Sequence, residues 1–412
     1  SFGSSGKIWR GSKSLTYSST RQLSSFKKYS QNERSHSTPF WKYLTPLALG
    51  AIAYGFYTKS DEEIGQKLTY FTSKISEETK TECVATVESK PDIMKSRVSI
   101  VQLPANYPCE DRFDAHQLQK SNGYSVAVFD GHGGWQVSEY AMAHLTDYLD
   151  EFLKNANTSE EIHEAINKAF NKVEQEAKEK CKGAFDIGFA KAATVGACAL
   201  VSVIKGNKLY VAQAGDSEAV LIKKNEEGNF ESVKVCKAYT CNDLDEQKRL
   251  KSMWPKESDI VRCRHKDACY VKGSLMPTRA FGDFRLKDKE FNFHMKSPEY
   301  QYRPPIKEHN GPYITHAPDI REFDISKDSV YLILASDGVW DEMSIEEIPS
   351  IIKDDKNQRE VSTTILNEVL NRTCTKTGIS RDFLSNIPAG SERRNRIDDI
   401  TVLVVDLENQ AE

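Results

Sequence analysis

The sequence predicts an α+β fold in which β-strands stack as a layered sandwich with helices grouped between them. Three observations predict it. Short runs rich in β-branched residues recur through residues 93–412, helical periodicity is confined to a few blocks, and the two do not alternate as regular βαβ units.

Ser96-Arg-Val-Ser-Ile-Val-Gln-Leu103 and Tyr124-Ser-Val-Ala-Val-Phe-Asp130 read as strands. Apolar residues at helical intervals predict a helix from Trp135 to Asn155. Thr158-Ser-Glu-Glu161 then reads as an N-cap followed by first-turn acids. It leads a helix that places Ile162, Ala165, Ile166, Ala169, Phe170 and Val173 on one face. A second β block runs from Thr194 to Ile222, with Gly206-Asn207 as its turn. Ser329–Ser336 and Ile400–Asp406 are further apolar strands, and Glu346–Ile352 and Gln358–Asn371 read as helices.

The N-terminal quarter has a different character. Residues 1–40 are rich in Ser, Lys and Arg and hold one acid, Glu33, the composition of a mitochondrial targeting segment. Residues 41–58 contain the uncharged run Tyr43–Thr58, bracketed by Lys42 and Lys59 and flanked by aromatics. At about 1.5 Å per residue that run spans roughly 24 Å, short of a hydrocarbon core of ~30 Å, and Pro46 lies near its start. Two readings fit: a single membrane anchor, or a short apolar helix against a partner protein. The first places the protein at the mitochondrial inner membrane. Residues 59–92 read as a charged linker, and 93–412 as the folded domain.

Composition narrows the function. With 39% hydrophobic residues and a net charge of −4, the chain can bury a sizeable core and lacks the basic surplus of a nucleic-acid binder. Nine cysteines without a CxxC pair are expected to be reduced thiols. Cys263-x-His265-x3-Cys269 lacks a fourth ligand at sensible spacing, so no zinc site is expected there.

The informative feature is where the acids lie. Glu110-Asp111 follows the first strand, Asp130-Gly131-His132 ends the second, and Asp216 follows the hairpin. Asp337 and Asp341 follow the strand ending at Ser336, while Asp398-Asp399 immediately precede the last strand. An Asp-Gly after a strand is usually only a turn. Several such corners brought together would be costly unless a cation neutralised them, and hard oxygen donors suit Mg²⁺ or Mn²⁺. Spacing alone leaves metal site and loops both open.

The ordered set Glu110-Asp111, Val128-Phe-Asp-Gly-His-Gly-Gly134, Ala214-Gly-Asp-Ser217, Thr278-Arg-Ala-Phe-Gly-Asp283, Ala335-Ser-Asp-Gly-Val-Trp-Asp341 and Asp398-Asp-Ile-Thr-Val402 resembles the signature of the type 2C metal-dependent protein phosphatases. The resemblance runs from about residue 97 to 407. It implies a central antiparallel β-sandwich flanked by helices on both sides, and hydrolysis of phosphoserine and phosphothreonine in phosphoprotein substrates. It also implies two Mg²⁺ or Mn²⁺ ions. Asp130 would bridge them, Glu110 and the Gly131 carbonyl completing one site and Asp337 and Asp398 the other. Asp216 and Asp341, with Asp337, resemble the ligands of a third, weaker site. Asp111 would act through water, and His132 matches the family's general acid. Without that context His132 reads equally as a turn residue.

Departures from the pattern bear on substrate. Asn106 stands where many members carry a phosphate-binding arginine, leaving Asn106, Arg112 and Arg279 as candidates for that contact. Asn106, Pro108, Leu275–Asp283 and Gly311–Asp319 are most similar to the mitochondrial pyruvate dehydrogenase phosphatase branch. The stretch Asp288–Tyr313, rich in Pro and aromatics, reads either as a substrate-selecting flap or as a packed surface loop. A second functional class also fits: an accessory subunit of a mitochondrial membrane complex, held to other subunits through residues 1–60.

Overall fold

The computed structural model describes residues 97–265, 268–292 and 305–408. The basic arm, anchor and linker expected over 1–92 lie outside the described residues, as does 293–304 of the expected flap.

Two antiparallel sheets form the sandwich. The first has five strands in the order β1 (Val98–Leu103), β13 (Ile400–Asp406), β12 (Ser329–Ala335), β6 (Glu218–Lys224) and β7 (Phe230–Lys234). The second runs β11 (Asp319–Asp324), β5 (Lys208–Ala214), β4 (Gly196–Lys205), β3 (Gly123–His132) and β2 (Arg112–Leu118), with the short β10 (Phe281–Gly282) on β4. A separate hairpin pairs β8 (Val261–His265) with β9 (Ala268–Val271).

Side-chain alternation explains why the central strands are apolar throughout. Val126 and Val128 of β3 and Leu403 and Val405 of β13 meet in the layer between the sheets. Their neighbours Ala127 and Phe129, and Val402 and Val404, face outward under helices. A strand covered on both faces has no polar side to show.

Helices α1 (Gln136–Leu153) and α2 (Ser159–Asp186) cover the second sheet. Thr158 caps α2, its hydroxyl accepting from the Glu161 amide while the Glu161 carboxylate accepts from the Thr158 amide, which satisfies two end donors. Helix α3 (Leu244–Met253) packs through Leu250 with Ile260, Val271 and Tyr313 in a smaller cluster. Helix α4 (Gln358–Thr377) covers the first sheet and ends at Gly378, which supplies the left-handed cap. The expected helices on both sides of the sandwich are thus in place. At the described ends of the expected flap, Phe291 and Tyr313 are buried.

The cysteine expectation needs one correction. Cys263 and Cys269 face each other across β8 and β9 and are joined as a disulfide. Direct opposition on a hairpin brings two thiols within bonding reach, and a spacing read only for metal ligands missed it.

Candidate active site

The acidic corners meet at one end of the sandwich. Asp130 stands near the end of β3, where antiparallel register sets it opposite Cys198 and sets His132 opposite Gly196. Asp216 occupies the turn between β5 and β6, and Asp337 opens the short helix Asp337–Trp340 after β12. The first belongs to one sheet and the third follows a strand of the other, so stacking brings them together. Asp130, Asp216 and Asp337 each present a carboxylate oxygen within 4.8 Å of the others.

Three carboxylates at this range strain one another electrostatically. Burial, then the Asp337 carboxylate, pushes Asp130 well above the usual carboxylate range. Burial and Asp216 do the same to Asp337, and burial raises Asp216 itself. Asp341 is raised by burial and then by Asp216. A hard divalent cation is the partner that would relieve such a set, and the donors fit Mg²⁺ or Mn²⁺.

Glu110 and Asp111 are positioned by the far end of the chain. Asp399 Oδ1 accepts from the Ala105 amide at 2.5 Å and the Asn106 amide at 2.9 Å, while its Oδ2 accepts from the Glu110 amide at 2.8 Å. Thr401 Oγ1 donates to Asp111 Oδ2 at 2.7 Å. Burial and then Asp399 lift Asp111 to about 7 and raise Glu110. Gly131 must be glycine here, because a Cβ would collide with the Glu110 carbonyl and lie 2.7 Å from Ser138 Oγ.

Asp398 is placed differently from the central three. Its Oδ2 meets Arg394 at 2.7 Å and its Oδ1 accepts from the Asp399 amide at 2.7 Å. Burial, opposed by Arg394, leaves it raised to about 6. The sequence paired Asp398 with Asp130 and Asp337, and assigned Asp216 to a looser site. Asp216 lies in the close group with Asp130 and Asp337, and the Asp398 charge acts on both Asp130 and Asp337.

His132 shares a cleft with Thr194, Leu275, Asp283 and Arg285. Its Nε2 donates to Asp283 Oδ2 at 2.6 Å. Burial works against a charged imidazole, but Asp283 more than offsets it and His132 is raised. Asp283 was visible in the Thr278–Asp283 motif, yet nothing in the sequence tied it to His132. Asp399 was equally visible, with no sign of its clamp on residues 105–110.

The three phosphate-contact candidates serve other partners. Asn106 Nδ2 donates to Asp399 Oδ2 at 2.9 Å. Arg112 pairs with Glu139 and donates to the Cys109 and Asp111 carbonyls at 2.8 and 2.7 Å. Arg279 donates to the Ala317 carbonyl at 2.9 Å and lies over the Tyr239 ring.

Comparison with known proteins bears on family and fold. The family described as Protein phosphatase 2C matches residues 105–378. "Probable protein phosphatase 2C 42" of Arabidopsis thaliana is 30% identical over 319 residues, covering 74% of this chain and 77% of that protein. In fold, the chain is similar to a solved C. elegans sex determining protein, with TM-score 0.55 and 18% identity over 84% of this chain and 72% of that one. It is also similar to serine-threonine phosphatase 2C from Toxoplasma gondii, with TM-score 0.51 and 16% identity over 75% and 94% of the two chains.

Proposed function

Because the chain belongs to the protein phosphatase 2C family and is a metal-dependent protein serine/threonine phosphatase, we propose that its acidic end holds a two-metal centre that serves hydrolysis of phosphoserine and phosphothreonine. The convergence of Asp130, Asp216 and Asp337 from separate stretches carries this reading. An accessory role would have no need of it.

In this reading Glu110, Asp130, the Gly131 carbonyl, Asp337 and Asp398 hold two Mg²⁺ or Mn²⁺ ions, with Asp216, Asp341 and Asp337 around a third. Such ions, when bound, neutralise charge on phosphoryl oxygens and lower the pKa of water in the cleft. The chain's own residues do the rest. Asp111, fixed by Thr401 Oγ1, accepts protons from water at the centre. His132, whose pKa the hydrogen-bonded Asp283 carboxylate raises, gives a proton to the departing serine or threonine oxygen.

The test is release of phosphate from a phosphothreonine peptide with Mn²⁺ or Mg²⁺. No turnover, or turnover that survives Asp130→Ala unchanged, would sink the reading. Asn106, Pro108 and the two motifs around Leu275 and Gly311 support a finer placement in the pyruvate dehydrogenase phosphatase branch. Residues 1–40 support a mitochondrial location and 41–58 a single anchor. Carbonate extraction tests the anchor, since release with the soluble fraction would rule out a spanning segment.

A further inference from the structure

A phosphate dianion brought to a ring of carboxylates needs cationic donors that acids do not supply. Among the candidates the sequence offered, Asn106 is bonded to Asp399, Arg112 to the Cys109 and Asp111 carbonyls, and Arg279 to the Ala317 carbonyl through Nη1, its buried Nε having no partner. Two exposed cations stand on the rim of the same end.

Lys191 lies in the 3-10 turn Ala190–Thr194. That turn abuts the loop after His132, since a Cβ on Gly133 would lie 2.5 Å from the Thr194 carbonyl oxygen. Ala193 and Thr194 line the cleft beside His132. Residues three apart eclipse in such a turn, so Lys191 shares an edge with Thr194, whose Oγ1 donates to the Lys191 carbonyl at 3.0 Å.

Arg394 lies on the helical turn Ser391–Arg394 that leads into Asp398 and β13. It meets Asp398 Oδ2 at 2.7 Å while its side chain remains 46% exposed. Its guanidinium carries more N–H donors than one carboxylate oxygen uses. An exposed pair of this kind contributes little to stability, so the residue can be changed without loss of the fold.

We propose that Lys191 and Arg394 clasp the substrate phosphate from the two sides of the Glu110 corner, taking the place of Asn106. This rests on the phosphatase reading above. It makes the clasp a feature of two helical turns far apart in the chain rather than of the connection that carries Asn106 and Glu110.

The experiment measures KM and kcat for a phosphothreonine peptide with Mn²⁺, inhibition by inorganic phosphate, and Mn²⁺ affinity by calorimetry. Lys191→Ala and Arg394→Ala are each expected to raise KM and the phosphate inhibition constant roughly tenfold, with kcat nearly unchanged. Lys191→Arg and Arg394→Lys should recover most of the loss, and Lys154→Gln, a distant charge change, should show none. Unchanged KM and phosphate inhibition in both alanine variants of an active enzyme would overturn the clasp. So would an equal effect from Lys154→Gln, or a matching fall in Mn²⁺ affinity. Absence of turnover in the unaltered enzyme would strike the phosphatase reading instead. Calorimetric binding of inorganic phosphate to the Mn²⁺-loaded protein and its variants would then still decide the clasp.

Discussion

His132 donates from Nε2 to Asp283 Oδ2 at 2.6 Å, joining the end of β3 to the turn that follows β10. Gly196 makes the approach possible, because a Cβ there would overlap both side chains. The carboxylate raises the imidazole pKa, so Asp283→Asn should lower it and shrink the protonated fraction at neutral pH. The expected result is a basic limb of the kcat profile displaced to lower pH, with kcat at pH 7 reduced roughly tenfold or more. A profile that keeps its shape would show that Asp283 does not set the proton on His132.

Asp130→Asn removes one of three crowded charges. Without metal the variant should be the more heat-stable protein, by about 2–4 °C if roughly 1 kcal/mol of repulsion is relieved. With Mn²⁺ the order should reverse, because the variant gains less from ligand binding. Activity should fall on the order of a thousandfold. Thermal scans with and without Mn²⁺ read both effects, and an Mn²⁺ shift as large as that of the native chain would remove Asp130 from the centre.

At Gly131 the argument is purely steric. Gly131→Ala places a methyl group against the Glu110 carbonyl and 2.7 Å from Ser138 Oγ, so one strand must move. The expected cost is about 1–3 kcal/mol in urea unfolding, together with weaker Mn²⁺ binding as Glu110 is displaced. Native stability and affinity would mean that the corner is less rigid than its contacts imply.

Asp399→Ala strips the acceptor from the Ala105, Asn106 and Glu110 amides. Loss of about 3 kcal/mol or more is expected from denaturant midpoints, since buried donors are left unpaired. Mn²⁺ affinity should fall with it. A variant with unaltered midpoint would refute the clamp.

His316 gives a pH signature away from the centre. Burial, then the Lys287 ammonium, hold it down to about 3, and its Nε2 donates to Asn171 Oδ1 at 2.6 Å as a neutral ring. The unfolded chain binds a proton here between about pH 6.5 and 3 that the folded chain refuses, so stability falls as pH drops through that window. His316→Asn should flatten the decline by at most about 1.4 kcal/mol per pH unit. Parallel curves for the two proteins would contradict this.

What the sequence made legible follows burial. β13 was read at Ile400–Asp406 with its true bounds because both faces are covered and the run is unbroken. β2 was missed because an edge strand of Arg112–Leu118 can carry Asp, His and Gln. The hairpin β8–β9 was missed for a similar reason, its first strand being largely exposed. Helix α4 continues past the expected Asn371 to Thr377, where apolar periodicity fades but Thr373 is still buried. At the centre, the acids were visible one by one. Which of them meet depended on how two sheets stack, and that brought Asp216 beside Asp130 and Asp337. The links His132–Asp283 and Asp399–Glu110 span 151 and 289 positions, beyond the reach of any local pattern.

β13 lies inside its sheet, between β1 and β12, and the Asp399 just ahead of it fastens residues 105–110. A nascent chain emerging from the ribosome can therefore raise the helices over β3 and β4 early, yet it carries no finished acidic corner until β13 has followed. The acidic corner is thus joined from stretches far apart in order of synthesis, and a chain cut ahead of Asp399 loses the acceptor that fastens the Ala105 and Glu110 amides.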